Sequence, residues 1–165
     1  MQTTTIVSQS TPAGFSAISV VRLSGPKSFF FSKKLSNTSK GFKHKTAQYL
    51  PVIINETKKI DDAVYIPYFA PKSYTGEDVV EISCHGNPHI VLAIINELLS
   101  FGAELAEPGE YTKRAFLNGK IDLLQAESVS LLIESKSLAA AKELSKNIEG
   151  KASKKISSFK REIIK

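Results

Sequence analysis

Short apolar runs rich in β-branched and aromatic residues alternate with helical patterns before residue 120. The runs predict four strands, at residues 18–23, 47–54, 63–69 and 78–84. Two segments, 27–35 and 89–101, predict helices, and each follows a proline, which the first turn of a helix tolerates. The pattern therefore predicts an α/β (α+β) fold, with a mixed β-sheet and flanking helices.

The second predicted helix has the clearest periodicity of the chain. Its apolar residues recur at helical spacing, and Gly102 follows as a stop signal. The residues expected to face the core are Val91, Leu92, Ile94, Ile95, Leu98 and Leu99.

After Asp122 the pattern changes to helix alone. Asp122 and Ser137 are suitable N-caps for a helix at residues 123–134 and for a tail helix. Apolar residues recur every three or four positions along the tail up to Ile163, which predicts one continuous apolar stripe. We expect two domains, residues 1–119 and 120–165, the second cut within a helical bundle whose partner face is a second copy or a later segment.

The net charge changes this picture less than its size suggests. The formal charge of the 165 residues is +6, which can indicate nucleic-acid binding. Residues 136–165 hold nine of the 22 Lys and Arg residues but three of the 16 Asp and Glu residues, which leaves 13 of each elsewhere. A lysine-rich tail is more typical of a solvated helix face, and RNA binding through it is the alternative.

Composition also bears on the compartment. The single cysteine, Cys84, cannot form an internal disulfide, which favours a reducing, cytoplasmic environment. The N-terminus lacks a basic segment followed by an apolar run, and no window approaches about 20 apolar residues. Neither secretion nor a membrane location is expected.

Two charged residues lie in the interior of predicted strands, where a charge is costly unless it is paired or liganded. Strand alternation puts Arg22 on the same face as Val20, and Glu81 on the same face as Ser83. The structural interpretation is that Arg22 and Glu81 pair with each other, or that Arg22 reaches water at a sheet edge.

The functional interpretation is that both charges recognise a polar, planar ligand with an anionic end. A folate matches this description, because a carboxylate accepts two hydrogen bonds from the ring NH and amino groups of a pterin. Composition alone does not select folate. Lys120 follows Gly119 ahead of a predicted helix and could add an ammonium group, although a loop lysine is more often simply exposed.

Cys84, His85 and His89 carry donor atoms of the kind that bind zinc. Cys84 and His85 would point to opposite faces of a strand, and no second ligand pair is present, so no metal site is expected. His85 and Gly86 are expected to form the turn into the next helix, with His85 as a further candidate pocket residue.

Nucleotide-hydrolysis motifs are not found in the sequence. It contains no G-x-x-x-x-G-K-[S/T] segment, no G-x-G-x-x-G and no G-x-S-x-G. We therefore predict no catalytic residues in this chain and no GTP hydrolysis by it.

One long segment resembles a known family. The run from Pro108 to Lys120, PGEYTKRAFLNGK, continues as IDLLQAE and resembles the signature of the MnmE (TrmE) tRNA-modification GTPases. The segments SYTGED at 73–78, RLSG at 22–25, and Thr11 with Pro12 resemble the same family in the same order.

The resemblance implies a domain that binds 5-formyltetrahydrofolate, followed by the first helices of a domain into which a Ras-like GTPase is inserted. By matching positions, it implies that Arg22, Glu81 and Lys120 bind the folate. Family members are homodimers through the N-terminal domain. With an MnmG-type FAD protein they modify the wobble uridine of tRNA, by a 5-carboxymethylaminomethyl-type modification. The GTPase domain, with its GTP, potassium and magnesium sites, is expected to lie outside these residues.

The chain departs from the family pattern at two places. Residues 13–17 read AGFSA where the family has a glycine-rich turn, and Phe15 is bulky for a tight turn. The usual His-Gly-Gly is His85, Gly86 and Asn87, a mild change because asparagine tolerates positive φ. The alternative functions are a dimerisation scaffold without folate, or an RNA-binding module that uses the basic tail.

Overall fold

The computed structural model describes residues 4–150. The chain divides into two compact units, Met1–Pro108 and Gly109–Lys165. The predicted boundary after Gly119 falls within the second unit, so the assignment of domains at 119/120 stays a prediction.

The first unit is a six-stranded sheet with two helices. The strands are β1 Ile6–Gln9, β2 Ser16–Ser24, β3 Gln48–Ile54, β4 Lys58–Tyr68, β5 Val79–Gly86 and β6 Glu104–Leu105. The helices are α1 Ser28–Ser36 and α2 Pro88–Ser100. The strand order is β3-β4-β5-β2-β1-β6, and all neighbours are antiparallel except β1 and β6. The prediction of an α/β fold with a mixed sheet is confirmed.

Both helices of this unit pack against one face of the sheet. Alternate strand residues such as Val21, Leu23 and Ile82 point toward them and are fully buried. Phe31 of α1 and Ile94 of α2 meet these strand residues in the same core. Burial of this apolar surface is the main stabilising term for the unit.

Helix α2 begins and ends one residue before the predicted range of 89–101. The side chain of Asn87 accepts a hydrogen bond from the backbone N–H of His89, and Pro88 occupies the first turn. Val91, Ile94 and Leu98 are buried as predicted, but Leu92 is exposed. The buried stripe of α2 is therefore narrower than the predicted one.

The second unit contains α3 Glu110–Leu117, α4 Leu123–Glu134 and α5 Leu138–Ile148. Both predicted N-caps are confirmed. Asp122 forms a capping box with Gln125, and Ser137 accepts from the backbone N–H of Ala140.

The prediction of one continuous tail helix is wrong. Helix α5 ends at Ile148, and Gly150 has a φ of 76°, a left-handed conformation that glycine adopts at helix ends. The remainder of the predicted stripe, residues 151–165, lies outside the described residues.

Candidate functional site

Arg22 and Glu81 lie directly opposite each other on β2 and β5. Strand alternation points both side chains away from the core, because their neighbours Val21, Leu23 and Ile82 point into it. Nη2 and Nε of Arg22 lie 2.8 and 3.0 Å from the same carboxylate oxygen, Oε1 of Glu81. The structural interpretation of these residues as an ion pair is thus confirmed.

Tyr68 on β4 extends this pair into a cluster of three polar side chains. Its hydroxyl donates to Oε2 of Glu81 at 3.3 Å, so both carboxylate oxygens have partners. Burial raises the pKa of Tyr68, and the negative charge of Glu81 raises it further. The phenol is therefore a neutral donor at physiological pH. We call Arg22, Tyr68 and Glu81 the polar triad.

The polar triad is accessible and has apolar neighbours. The side chains of Arg22 and Glu81 are 27% and 25% exposed. The pairing of Val20 and Val64 with Ser83 and of Ile66 with Glu81 puts half-buried aliphatic side chains on the same face. This face offers charged hydrogen-bonding groups beside an apolar surface, which suits a planar ring with polar edges.

The loop at residues 70–78 is fastened to β2 beside the polar triad. The buried hydroxyl of Ser24 donates to Glu77 and lies 2.7 Å from the hydroxyl of Thr75. Gly25 follows, where a Cβ atom would lie 2.6 Å from the carbonyl oxygen of Thr4, closer than any side chain allows. The RLSG and SYTGED segments therefore pack together in the fold.

A second polar pair, not foreseen from the sequence, lies at the end of β5. Nδ1 of His85 is 2.6 Å from Oδ1 of Asp61 on β4, and the backbone N–H of His85 donates to Oδ2. The Asp61 side chain is 6% exposed, whereas the imidazole is largely exposed. Burial alone would raise the pKa of Asp61, but these hydrogen bonds and one from the N–H of Asp62 outweigh it and lower the pKa.

The turn predicted at His85 and Gly86 does not form there. Both residues belong to β5, which ends at Gly86, and Asn87 is already the N-cap of α2. A Cβ atom at Gly86 would overlap the backbone of Ser16, so the glycine allows β2 and β5 to approach each other.

Cys84 and His85 point in opposite directions. Cys84 is buried in the core, where burial raises the pKa of its thiol to about 11. Among residues 4–150, no three or more His, Cys, Asp or Glu side chains are grouped so that they could hold a metal ion.

Lys120 lies in the second unit, between α3 and α4. Its backbone N–H donates to the carbonyl of Ala115, which ends α3, and Gly119 before it has a φ of 67°. Of the three predicted folate-binding residues, Arg22 and Glu81 are thus in direct contact within the first unit. Lys120 belongs to the second, helical unit.

The unusual turn before β2 fits its bulky residue. Gly14 takes the positive φ, 126°, and the Phe15 side chain is 81% exposed. Phenylalanine therefore does not have to adopt a glycine conformation. The exposed ring adds apolar surface next to β2.

Comparison with known proteins identifies a single family over most of the chain. The family described as GTP-binding protein TrmE N-terminus matches residues 5–120. The chain is similar to the tRNA modification GTPase MnmE of a Nitratiruptor species, with 47% identity over 88% of this chain and 32% of the relative. The enzymes of that name from Aquifex aeolicus and Thermotoga petrophila are 46% and 44% identical, over 92% and 97% of this chain and 34% and 35% of the relatives.

The chain thus spans about a third of the length of these curated relatives. No helix in the described range 4–150 has the length and apolar character needed to span a bilayer.

Proposed function

The chain belongs to the MnmE (TrmE) tRNA-modification GTPase family, and from this we propose that its sheet unit binds 5-formyltetrahydrofolate at Arg22 and Glu81. The observation that carries the proposal is the polar triad. Its carboxylate is half-buried, accessible and charged, on a sheet face with apolar neighbours. A pterin needs a carboxylate for its ring NH and amino groups, and apolar surface for its ring.

The stability that the ion pair provides is too small to explain why two charged residues occupy these strand positions. Solvent-accessible pairs contribute about 0.2–1 kcal/mol to stability, because water screens them and two long side chains must be held in place. Nη2 and Nε of Arg22 bind Oε1 of Glu81, and the bond from Tyr68 to Oε2 is long. A ligand can therefore exchange for the tyrosine hydroxyl at Oε2 while Arg22 keeps the carboxylate oriented.

Lys120 is proposed as a third folate-binding residue on the family resemblance. An ammonium group suits the anionic glutamyl tail of a folate or a ring carbonyl. When bound, the folate would supply a one-carbon unit, while the residues of this chain would bind and orient it.

Dimerisation, partner proteins and GTP binding are proposed from the full-length relatives of this family. We propose that the chain forms a homodimer through its N-terminal domain and works in the cytoplasm with an MnmG-type FAD protein on the wobble uridine of tRNA. GTP, potassium and magnesium would bind a GTPase domain beyond the residues of this chain. No nucleotide-hydrolysis site is proposed within it.

A second candidate is a dimerisation scaffold that no longer binds folate. The closed Arg22–Glu81 pair favours it, since Glu81 is satisfied by protein groups, and so does the altered turn with its exposed Phe15. In that case the polar triad would serve only to hold β2, β4 and β5 together.

Two measurements on the native chain separate these candidates. Calorimetric titration with 5-formyltetrahydrofolate should show saturable heat, and light scattering should show a dimer. A dimer with no heat of folate binding would favour the scaffold. A monomer that binds folate would support the site and contradict the homodimer.

A further inference from the structure

The charge of the first unit is strongly segregated along the chain. Residues 1–55 contain no Asp or Glu but hold Arg22 and six lysines. Three of these lysines, Lys40, Lys43 and Lys45, lie in the connection between α1 and β3, and all three are exposed. The overall neutrality of residues 1–135 therefore conceals a local positive surface.

This connection is held in one conformation by its inward-pointing side chains. Phe42 packs against Phe29 with ring centroids 5.9 Å apart. His44 contacts the ring of Phe69 at 5.6 Å and accepts a hydrogen bond from its backbone N–H at 2.9 Å. Because Phe42 and His44 alternate with the lysines, anchoring them presents the ammonium groups on the outer side.

Backbone contacts fix the same segment further. The N–H of Lys45 donates to the carbonyl of Pro67, and Lys45 has a φ of 54°, a left-handed conformation that is unfavourable for a residue other than glycine. The side chain of Gln48 donates to the carbonyl of Gly41 at 3.2 Å. The positive surface is thus pre-organised rather than a loose run of lysines.

A groove of about 540 Å³ lies beside this segment and combines two kinds of group. Lys40 and Lys43 supply cations, and Tyr49 on the edge strand β3 supplies an aromatic ring that is 72% exposed. Within the described part of the chain, no carboxylate lines the groove. On the neighbouring strand, Asp62 is already paired with Lys59 at 2.7 Å.

From this juxtaposition we propose that the groove binds single-stranded RNA, with Lys40 and Lys43 on backbone phosphates and a base stacked on Tyr49. Cations that follow the backbone, together with an aromatic platform for a base, are what proteins use for unpaired nucleic acid. A phosphate surface alone would not explain an exposed tyrosine in the same groove. The choice of RNA rests on the proposed function in tRNA modification, whereas the groove itself is separate from the polar triad.

The test is the binding of a short, fluorescein-labelled, single-stranded RNA of mixed sequence to the whole chain, followed by anisotropy at several KCl concentrations. Affinity should fall with salt, and Lys40→Ala/Lys43→Ala should reduce the log–log salt slope by roughly 1.4, about 0.7 for each lost phosphate contact. Lys142→Ala/Lys146→Ala on α5 makes the same charge change elsewhere and should leave the affinity near that of the native chain.

The tyrosine is tested separately from charge. Tyr49→Ala should weaken binding about fivefold or more, the effect of losing one stacked base, while Tyr49→Phe should bind like the native chain. Equal losses in the groove and α5 double variants would overturn the proposal, as would full affinity in Tyr49→Ala.

Two further measurements, of vesicle binding and of folate binding, distinguish the remaining possibilities. Binding to vesicles containing phosphatidylserine, without binding to RNA, would assign the groove to a membrane and overturn the proposal. The affinity for 5-formyltetrahydrofolate, measured on the same lysine and tyrosine variants, should be unchanged. Failure of RNA binding with intact folate binding would therefore contradict this inference and leave the folate site standing.

Discussion

Arg22 and Glu81 face each other across β2 and β5, with Nη2 of the arginine 2.8 Å from Oε1 of the carboxylate. They are 59 residues apart in sequence and come together only through the pairing of two antiparallel strands. Because both side chains are about a quarter exposed, the pair contributes about 1 kcal/mol or less to folding. Its removal should affect a ligand more than the fold.

Tyr68 should report directly on the charge of Glu81. Burial first, and then the carboxylate, raise the pKa of its phenol, while Arg22 lowers it. In Glu81→Gln the pKa of Tyr68 should fall toward its ordinary value and stay above it, since burial remains. NMR titration of the Tyr68 ring measures this, and an unchanged pKa would show that the two groups do not interact in solution.

Asp61 should make the free energy of unfolding depend on pH in the acid range. Its pKa in the folded chain lies below the ordinary value of 3.8, so the stabilisation is complete well above pH 3.8. It is lost as pH falls through that value toward the lower folded pKa. Asp61→Asn should cost about 1–3 kcal/mol near neutral pH, because the backbone N–H groups of His85 and Asp62 lose an ionised acceptor that is itself buried. It should also remove this acid-dependent part of the stability.

The matched control for that change is Asp62→Asn on the same strand. Asp62 is more exposed and pairs with Lys59 at the surface, a contact that contributes little. Urea unfolding at several pH values compares the two variants, and equal losses would argue against a special role for the buried carboxylate.

Gly86→Ala should destabilise the sheet. The new Cβ atom would overlap Oγ and the carbonyl oxygen of Ser16 and lie 2.7 Å from its carbonyl carbon, so backbone has to move. Overpacking of this kind costs about 1–3 kcal/mol. Gly41→Ala, where a Cβ meets nothing within 4 Å, is the control. Thermal unfolding that ranks the two variants equally would contradict the close approach of β2 and β5.

Gln125 should stabilise the helical unit in two ways that can be separated. Its Oε1 accepts from the N–H of Asp122, and its Nε2 donates to the carbonyl of Ile148 at 2.6 Å. Gln125→Glu keeps the acceptor and loses the donor, so it should cost about 0.5–1.5 kcal/mol. Gln125→Ala loses both and should cost more. Circular dichroism during urea unfolding measures this, and a Glu variant as stable as the native chain would exclude the second contact.

The regular parts of this fold could be predicted from local patterns. Strand β5 and helix α2 carry strong periodicities, and Asp122 and Ser137 are N-caps both in sequence and in structure. Strands β1 and β6 were not predicted. They are short, and among the described strands β6 is paired only with β1, so it is tertiary contact rather than local preference that makes them strands.

Local patterns also fail to predict helix α3 and the end of α5. Helix α3 is rich in polar residues and is held partly by the Glu110–Arg114 pair at 2.8 Å, with Arg114 buried. For α5, the apolar periodicity continues past Gly150 in the sequence, but that glycine takes a left-handed conformation after the helix has ended. Periodicity does not reveal this stop.

Within the candidate site, the sequence identified Arg22 and Glu81 and their pairing with each other, but it identified neither Tyr68 nor the Asp61–His85 pair. Arg22 and Glu81 stand out as charges in apolar strands, whereas Tyr68 reads as an ordinary strand residue. The Asp61–His85 pair spans 24 residues, and it depends on the register of β4 against β5, which no local pattern contains. The folate-binding roles of Arg22, Glu81 and Lys120 remain predictions.

The most direct test of the folate proposal is a calorimetric titration of 5-formyltetrahydrofolate into Glu81→Gln beside Glu104→Gln, an exposed carboxylate on β6. The free energy of unfolding of the Glu81 variant should lie within about 1 kcal/mol of that of the native chain. Its dissociation constant should rise about tenfold or more, since a hydrogen bond to a charged group contributes about 1.5–3 kcal/mol, while Glu104→Gln binds normally. Equal dissociation constants in both variants and the native chain would contradict the assignment of Glu81 to the site.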